Sequence, residues 1–433
     1  MTPAMAHDDP PALRRAGVVA AALDPGDLDG LRRRIRLTLM ATAALGSTGY
    51  LVALTVGTIA AAEIGGGLAV GGAPSAAMTL GTAVAASSLA RAMVRVGRRV
   101  GMLGGLTIGL AGAVVGFFAI LLDSLALLLL GAILMGFANG AGQMARYVAA
   151  DLVPPLRRAS AVGMVVWGST VGAVIGPNLA EPGGWVAGLL ALPALAGAYL
   201  LTMAFFVLAL GVLIVFLRPE PYALADPSAL ERRTDGTDAS VAELLERPSV
   251  VLALAALLAG QVVMVLIMTM TPLHLTTHGH GLDTVGLVLS AHTFGMFALS
   301  PISGRLTDRF GEVPIIAAGM AMLAIAAIMA ALAPVEGPIL TLALFLLGYG
   351  WNLGFVSGSA LLTRGLTLAE RTRVQGTVDG LVWGSAAVAG FSSGLIVQAW
   401  SYTTLGFLGL VLLIAPITVL VLTRVEVRRR LVT

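Results

Sequence analysis

Two pairs of soft ligands stand out in the chain, Met264 with Met268 and His292 with Met296. Each pair is spaced i, i+4, which puts both side chains on one face of a helix. Thioethers and a neutral imidazole hold hard cations poorly and suit Cu(I), which gains from polarisable sulfur. A second chemistry is offered by Asp379, a carboxylate inside an apolar stretch. It could carry a proton, or it could pair with Arg146, Arg371 or Arg373. Asn139 and Gln143, one turn apart, could supply polar contacts in a cavity, as could Asn352 beside Trp351. An Asn bonding a neighbouring helix is the plainer reading of Asn352. His274, His278 and His280 lie near Asp283 and could catch a metal ion at a cavity mouth. A solvated turn rich in Thr, Gly and His is the simpler account of them.

These residues need apolar elements to carry them, and the composition supplies them. Of 433 residues, 58% are hydrophobic and 11% charged, where a soluble domain carries about a quarter charged. Mean hydropathy is +0.94. The fold class is therefore an all-α polytopic membrane protein. Runs of about 20 apolar residues predict spans at 37–61, 74–95, 100–121, 125–148, 160–180 and 186–217. A second set follows at 249–273, 284–303, 313–334, 338–362, 374–399 and 403–423. Residues 1–35 read as an N-terminal tail, 36–217 as a first six-helix half and 218–248 as a polar linker with a short helix near Ala239–Glu246. Residues 249–423 form the second half, and 424–433 a C-terminal tail.

Charge fixes the expected topology. Arg residues fall in the tails, the linker and the even-numbered turns (Arg91–Arg99, Arg146–Arg158, Arg305–Arg309, Arg364–Arg373). The odd-numbered turns carry Glu63, Asp123, Glu181, Asp283, Glu336 and His residues. This segregation predicts twelve spans with both termini cytoplasmic. It also accounts for the pI near 9.7 without nucleic acid, because the Arg residues are scattered in short turns. With no Cys, disulfides, thiolate metal sites and a Cys nucleophile are excluded. A phosphate-cradling G-x-x-x-x-G-K-[ST] loop is absent, which disfavours a nucleotide-driven pump.

The two halves repeat. Val166-Trp167-Gly168-Ser169 recurs as Val382-Trp383-Gly384-Ser385, and Ala90-Arg91 with Arg95 and Gly97 as Gly304-Arg305 with Arg309 and Gly311. The offset is about 215 positions, half of the chain. Asp379 occupies the repeat position of Gly163. Two pseudo-symmetric six-helix halves follow.

The segment Gly304-Arg305-Leu306-Thr307-Asp308-Arg309-Phe310-Gly311 closely resembles the G-x-L-x-D-R-x-G loop signature of the major facilitator superfamily. The first-half copy is degenerate, with Ala90 for the Gly and Val94 for the Asp. Gly172, Gly176 and Pro177 resemble the G-x-x-x-G-P core common in antiporters of that superfamily, although Gly172 and Gly176 read more readily as packing residues. The resemblance implies gating by Arg305, Asp308 and Arg309. One departure is that many proton-coupled exporters carry an Arg early in the fourth span, whereas here Arg146 sits near its end. The M-x-x-x-M and H-x-x-x-M pairs resemble the signature of the CcoA-like copper importers, a group with relatives linked to riboflavin. Their depth matches, since His292 lies roughly 12 Å along its span and Met264 about as deep.

The expected protein is a secondary transporter in a bacterial cytoplasmic membrane, acting as a monomer on a small-molecule or metal-ion substrate, with no cofactor, no nucleic acid and no enzymatic activity. Cu(I) leads as cargo, with Met264, Met268, His292 and Met296 as ligands. Beside it stand a proton-coupled antiporter of drugs or other organic solutes, a riboflavin-like vitamin as cargo, and a receptor without transport. Asp379 with Arg146 is the expected proton-coupling pair, roughly 9 Å into its span.

Overall fold

The computed structural model describes residues 24–66, 70–225, 239–332 and 337–432. The N-terminal tail before Asp24, Asp226, Glu231, Arg232, Arg233, Glu336 and Thr433 lie outside the described residues. The first half comprises α1 (Pro25–Ile64), α2 (Ala73–Val96), α3 (Arg98–Leu121), α4 (Leu125–Asp151), α5 (Arg158–Asn178), α6 (Ala180–Leu189) and α7 (Ala194–Phe216). Two short helices, α8 (Pro221–Ala225) and α9 (Val241–Leu245), occupy the linker. The second half comprises α10 (Pro248–Thr277), α11 (Leu282–Thr293), α12 (Ser300–Phe310), α13 (Glu312–Leu332), α14 (Gly337–Leu361), α15 (Leu368–Ala399) and α16 (Tyr402–Val432). Among the described residues eleven helices are long and apolar enough to cross a membrane, or twelve if the bent pair α11–α12 is one span.

Small residues bring these helices together where lipid offers no hydrophobic drive. In the first half a Cβ on Gly105, Gly109 or Gly112 of α3 would collide with α4 at Phe137–Ala141, Ala138 or Gly131–Met135. The second half repeats this pairing, with Gly319 of α13 against Gly350 and Gly354 of α14. The halves meet along two repeat-related seams. Gly304 of α12 lies against Ala159 and Ser160 of α5, and Gly376 of α15 lies against Ala90 of α2. Gly304 and Ala90 are equivalent in the repeat, as are Ser160 and Gly376, so one pseudo-twofold relates the seams. Both seams sit at the end carrying the Arg-rich turns. Gly97 and Gly311 close α2 and α12 with φ of +93° and +88°, a backbone that a side chain would strain.

Several boundaries differ from the sequence reading. Pro25 at the first turn starts α1 well before residue 35, and Arg32 and Arg34 tie this extension to the linker through the carbonyls of Leu224 and Arg218. The expected 186–217 span is instead two helices, because Ala191 takes a positive φ of 54° and Pro193 cannot continue α6. The linker helix is confirmed as Val241–Leu245 with a Ser240/Glu243 capping box. A second capping box, Thr367/Glu370, starts α15 at Leu368 rather than 374. At the other end the apolar part of α16, Tyr402–Leu422, continues helically to Val432.

The eighth span breaks at a π turn, Phe294–Ala298, and its two parts are inclined by 42°. Pro301 has no N–H for the carbonyl of Phe297, and Ser300 Oγ donates to that carbonyl at 2.7 Å. Asn352 Nδ2 donates to the Met296 carbonyl at 2.6 Å and to Ser300 Oγ at 2.7 Å, while its Oδ1 accepts from Ser303. Ser300 and, from α14, Asn352 thus bond two carbonyls of the break, as a backbone irregularity in a membrane requires.

Candidate functional site

A buried charged contact between the halves joins α4 to α15. Arg146 Nη2 lies 2.7 and 2.9 Å from the two carboxylate oxygens of Asp379, with both side chains 1% exposed. The same Nη2 reaches Tyr147 Oη at 3.0 Å, and Tyr147 Oη donates to Asp379 Oδ1 at 2.9 Å. Nε donates to Ser359 Oγ of α14, and Nη1 to the carbonyl and Oε1 of Gln143. Every N–H of the guanidinium therefore has an acceptor. Its carbon sits 4.3 and 4.4 Å from the ring centres of Tyr147 and Phe355, adding cation–π attraction from both halves. Because α15 starts at Leu368, Asp379 lies about 16 Å along its helix, the first turns of which carry Glu370, Arg371 and Arg373.

Two turns of α4 continue the polar face away from the Arg-rich end. Gln143 Nε2 donates to Asn139 Oδ1 at 3.4 Å, and Asn139 Nδ2 to Thr82 Oγ1 of α2 at 3.2 Å. Asn139 and Gln143 are only half-buried, although they lie in mid-span. Polar groups at that depth need a protein- or water-lined space in front of them.

The Met and His pairs have other surroundings. Met264 is packed in the core at 3% exposure, and Met268 and Met296 are half-buried against it. His292, 1% exposed, turns to α14, where its Nδ1–H donates to the Leu344 carbonyl at 2.9 Å; Nε2 has no hydrogen-bond partner among the described residues. Of the outer histidines, His274 stacks on Tyr402 at 4.1 Å and meets the tilted ring of His278 at 4.5 Å. Among the described residues no group of three or more His, Cys, Asp or Glu could hold a metal ion.

The loop-signature residues separate by role. Asp308 crosses to the other half and accepts from the backbone N–H groups of Ala159 and Ser160, both at 3.0 Å, at the start of α5. A carboxylate there meets both orphan donors and the positive end of the helix. Arg305 is exposed, and Arg309, also exposed, stacks over Phe310 at 5.2 Å. Gly172 and Gly176 pack α5 on α1 at Ser47–Thr48 and Leu51, and Pro177 lies in the last turn of α5. Where Val94 replaces the carboxylate, Arg98 holds the other seam instead. It bonds Asp151 Oδ2 at 2.8 Å and Gln375 of α15 at 3.1 Å, and Arg371 approaches Asp151 at 3.6 Å. Sequence reasoning missed Asp151, Gln375, Tyr147 and Ser359. Asp151 alone carried a signal, being an acidic residue within an Arg-rich turn.

Two repeat-related helical halves, the seams between them and a charged pair across them define a carrier-type membrane protein. The profile of the Major Facilitator Superfamily matches residues 37–283 and again 252–432, and the chain belongs to that superfamily. It is 36% identical over 388 residues to YddS of Bacillus subtilis, described as an uncharacterized MFS-type transporter, covering 88% of this chain and 89% of that protein. It is 30% identical over 396 residues to the riboflavin transporter RfnT of Brucella anthropi, covering 92% and 96%. Among solved structures the human organic anion transporter MFSD10 (TETRAN) shares the fold with a TM-score of 0.73 at 17% identity, over 90% of this chain and 99% of that one.

Proposed function

We propose that this transporter carries a small organic solute across a bacterial cytoplasmic membrane by alternating access, and that Asp379 couples the movement to protons. The observation that carries the reading is the buried Arg146–Asp379 pair, which bridges the halves at the end where they touch. Protonating the carboxylate removes the charge that holds Arg146, and a guanidinium left unpaired in a low-dielectric interior favours separation of the halves. With the Arg-rich end cytoplasmic, the closed arrangement faces outward. An organic cargo is supported by the 30% identity to the riboflavin transporter along almost the whole chain. Cu(I) draws no comparable support, because His292 is engaged with α14 and Met264 with the core.

Proteoliposomes test this directly. Riboflavin should move in the direction set by an imposed pH gradient, and the double variant Arg146→Gln/Asp379→Asn should exchange riboflavin without responding to the gradient. Riboflavin flux no greater than in empty liposomes would remove that cargo. A gradient response like that of the wild type would remove Asp379 from coupling. Cu(I) uptake abolished by His292→Ala would return the cargo to the metal.

A further inference from the structure

One indole nitrogen inside the second half lacks a partner. Trp383 lies one turn beyond Asp379 on α15, so the two side chains share a face. Leu381, Val388, Phe391 and Leu395 are 46, 66, 73 and 53% exposed and mark the lipid side of the same helix. Gly390, two turns past Trp383 on its own face, meets Val265 of α10. Trp383 therefore projects inward, yet its Nε1–H is buried with no hydrogen-bond partner among the described residues. A buried indole N–H normally finds an acceptor, and leaving it unpaired is costly.

The facing helix offers more of the same chemistry. Because α4 runs toward the Arg-rich end and α15 away from it, Gln143, Asn139 and Trp383 all lie beyond the ion pair on the side of the membrane interior. Asn139 Nδ2 spends one hydrogen on Thr82, and Gln143 Nε2 spends one on Asn139. Each amide keeps a second N–H. The floor beneath them is electrically closed, since Arg146 has no N–H left and the Asp379 carboxylate is already bound by Arg146 and Tyr147. No free carboxylate on this floor waits for a cation, and no free guanidinium for an anion.

We propose that Trp383, Gln143 and Asn139 form the seat of the solute, and that they select a flat, net-uncharged heteroaromatic molecule. Its ring carbonyls and ring nitrogens accept from the three N–H donors, the indole meeting the edge of the ring through Nε1–H. This seat rests on the organic-solute reading above and narrows it to acceptor-rich planar rings.

Calorimetric titration of the full chain in lipid nanodiscs with lumichrome, a ring of this kind, tests the seat. Trp383→Phe keeps an aromatic ring and loses the donor, and it should weaken binding by about tenfold. Trp383→Leu loses the same donor and should weaken binding to a similar extent, and both variants should melt like the wild type. Ethidium, a flat cation, should bind far more weakly than lumichrome. Lumichrome affinity unchanged in Trp383→Phe, or a preference for ethidium, would overturn the seat. If lumichrome does not bind while proteoliposomes move another organic solute, the seat falls and the transport reading stands. If they move no organic solute at all, both fall.

Discussion

Arg146 and Asp379 concentrate the energetics of the molecule in one contact. Two charges at 1% exposure have given up their hydration, and only their mutual bonding offsets that loss. Removing one partner strands the other, so Asp379→Asn and Arg146→Gln should each cost about 3–5 kcal/mol in stability. The double variant strands nothing and should regain most of that loss in thermal unfolding of the detergent-solubilised protein. A double variant as unstable as the worse single one would mean that the pair is not the source of the loss. The sequence allowed Asp379 three partners, Arg146, Arg371 and Arg373, and could not choose. The choice depends on which helix of the first half faces α15, which periodicity does not encode. Tyr147 had no signal, because its role comes from adjacency to Arg146 and from the same unreadable facing.

At the scale of elements, the two seams use different devices for one purpose. The α5–α12 seam is held by Asp308 on the first N–H groups of α5, together with the close approach of Gly304. The α2–α15 seam has lost its carboxylate to Val94 and relies on Arg98, Asp151 and Gln375. Asp308→Ala should therefore loosen the first seam by about 1–3 kcal/mol, the worth of charge-assisted bonds to the backbone. Since the chain has no native Cys, a single Ser160→Cys reports this cleanly. Its maleimide labelling should accelerate by between about fivefold and a hundredfold in the Asp308→Ala background. An unchanged rate would remove Asp308 from the latch. The loop motif and the repeat were legible because they recur in sequence. Legible too, but unused, was the capping box Thr367/Glu370 that lengthens α15. The break in the eighth span was not foreseen, because Pro301 signals a bend only once α14 is known to supply Asn352.

For the whole molecule, the seams and the ion pair place all the described closure at the Arg-rich end, and the halves must part there for a solute to leave on that side. The Cys-free chain lends itself to paired spin labels at exposed positions. Leu156 and Phe310 (76% and 55% exposed) report across the Arg-rich end, and Leu190 and Trp400 (58% and 73%) across the other. The most direct measurement is the distance distribution of these two pairs in nanodiscs, with and without Arg146→Gln/Asp379→Asn. The parent protein should give one short population at the Arg-rich end. Neutralising the pair should add a longer population there and, in step, shorten the distances at the opposite end. Distributions unchanged at both ends, or lengthening at both together, would contradict a charge pair that latches one side of an alternating carrier.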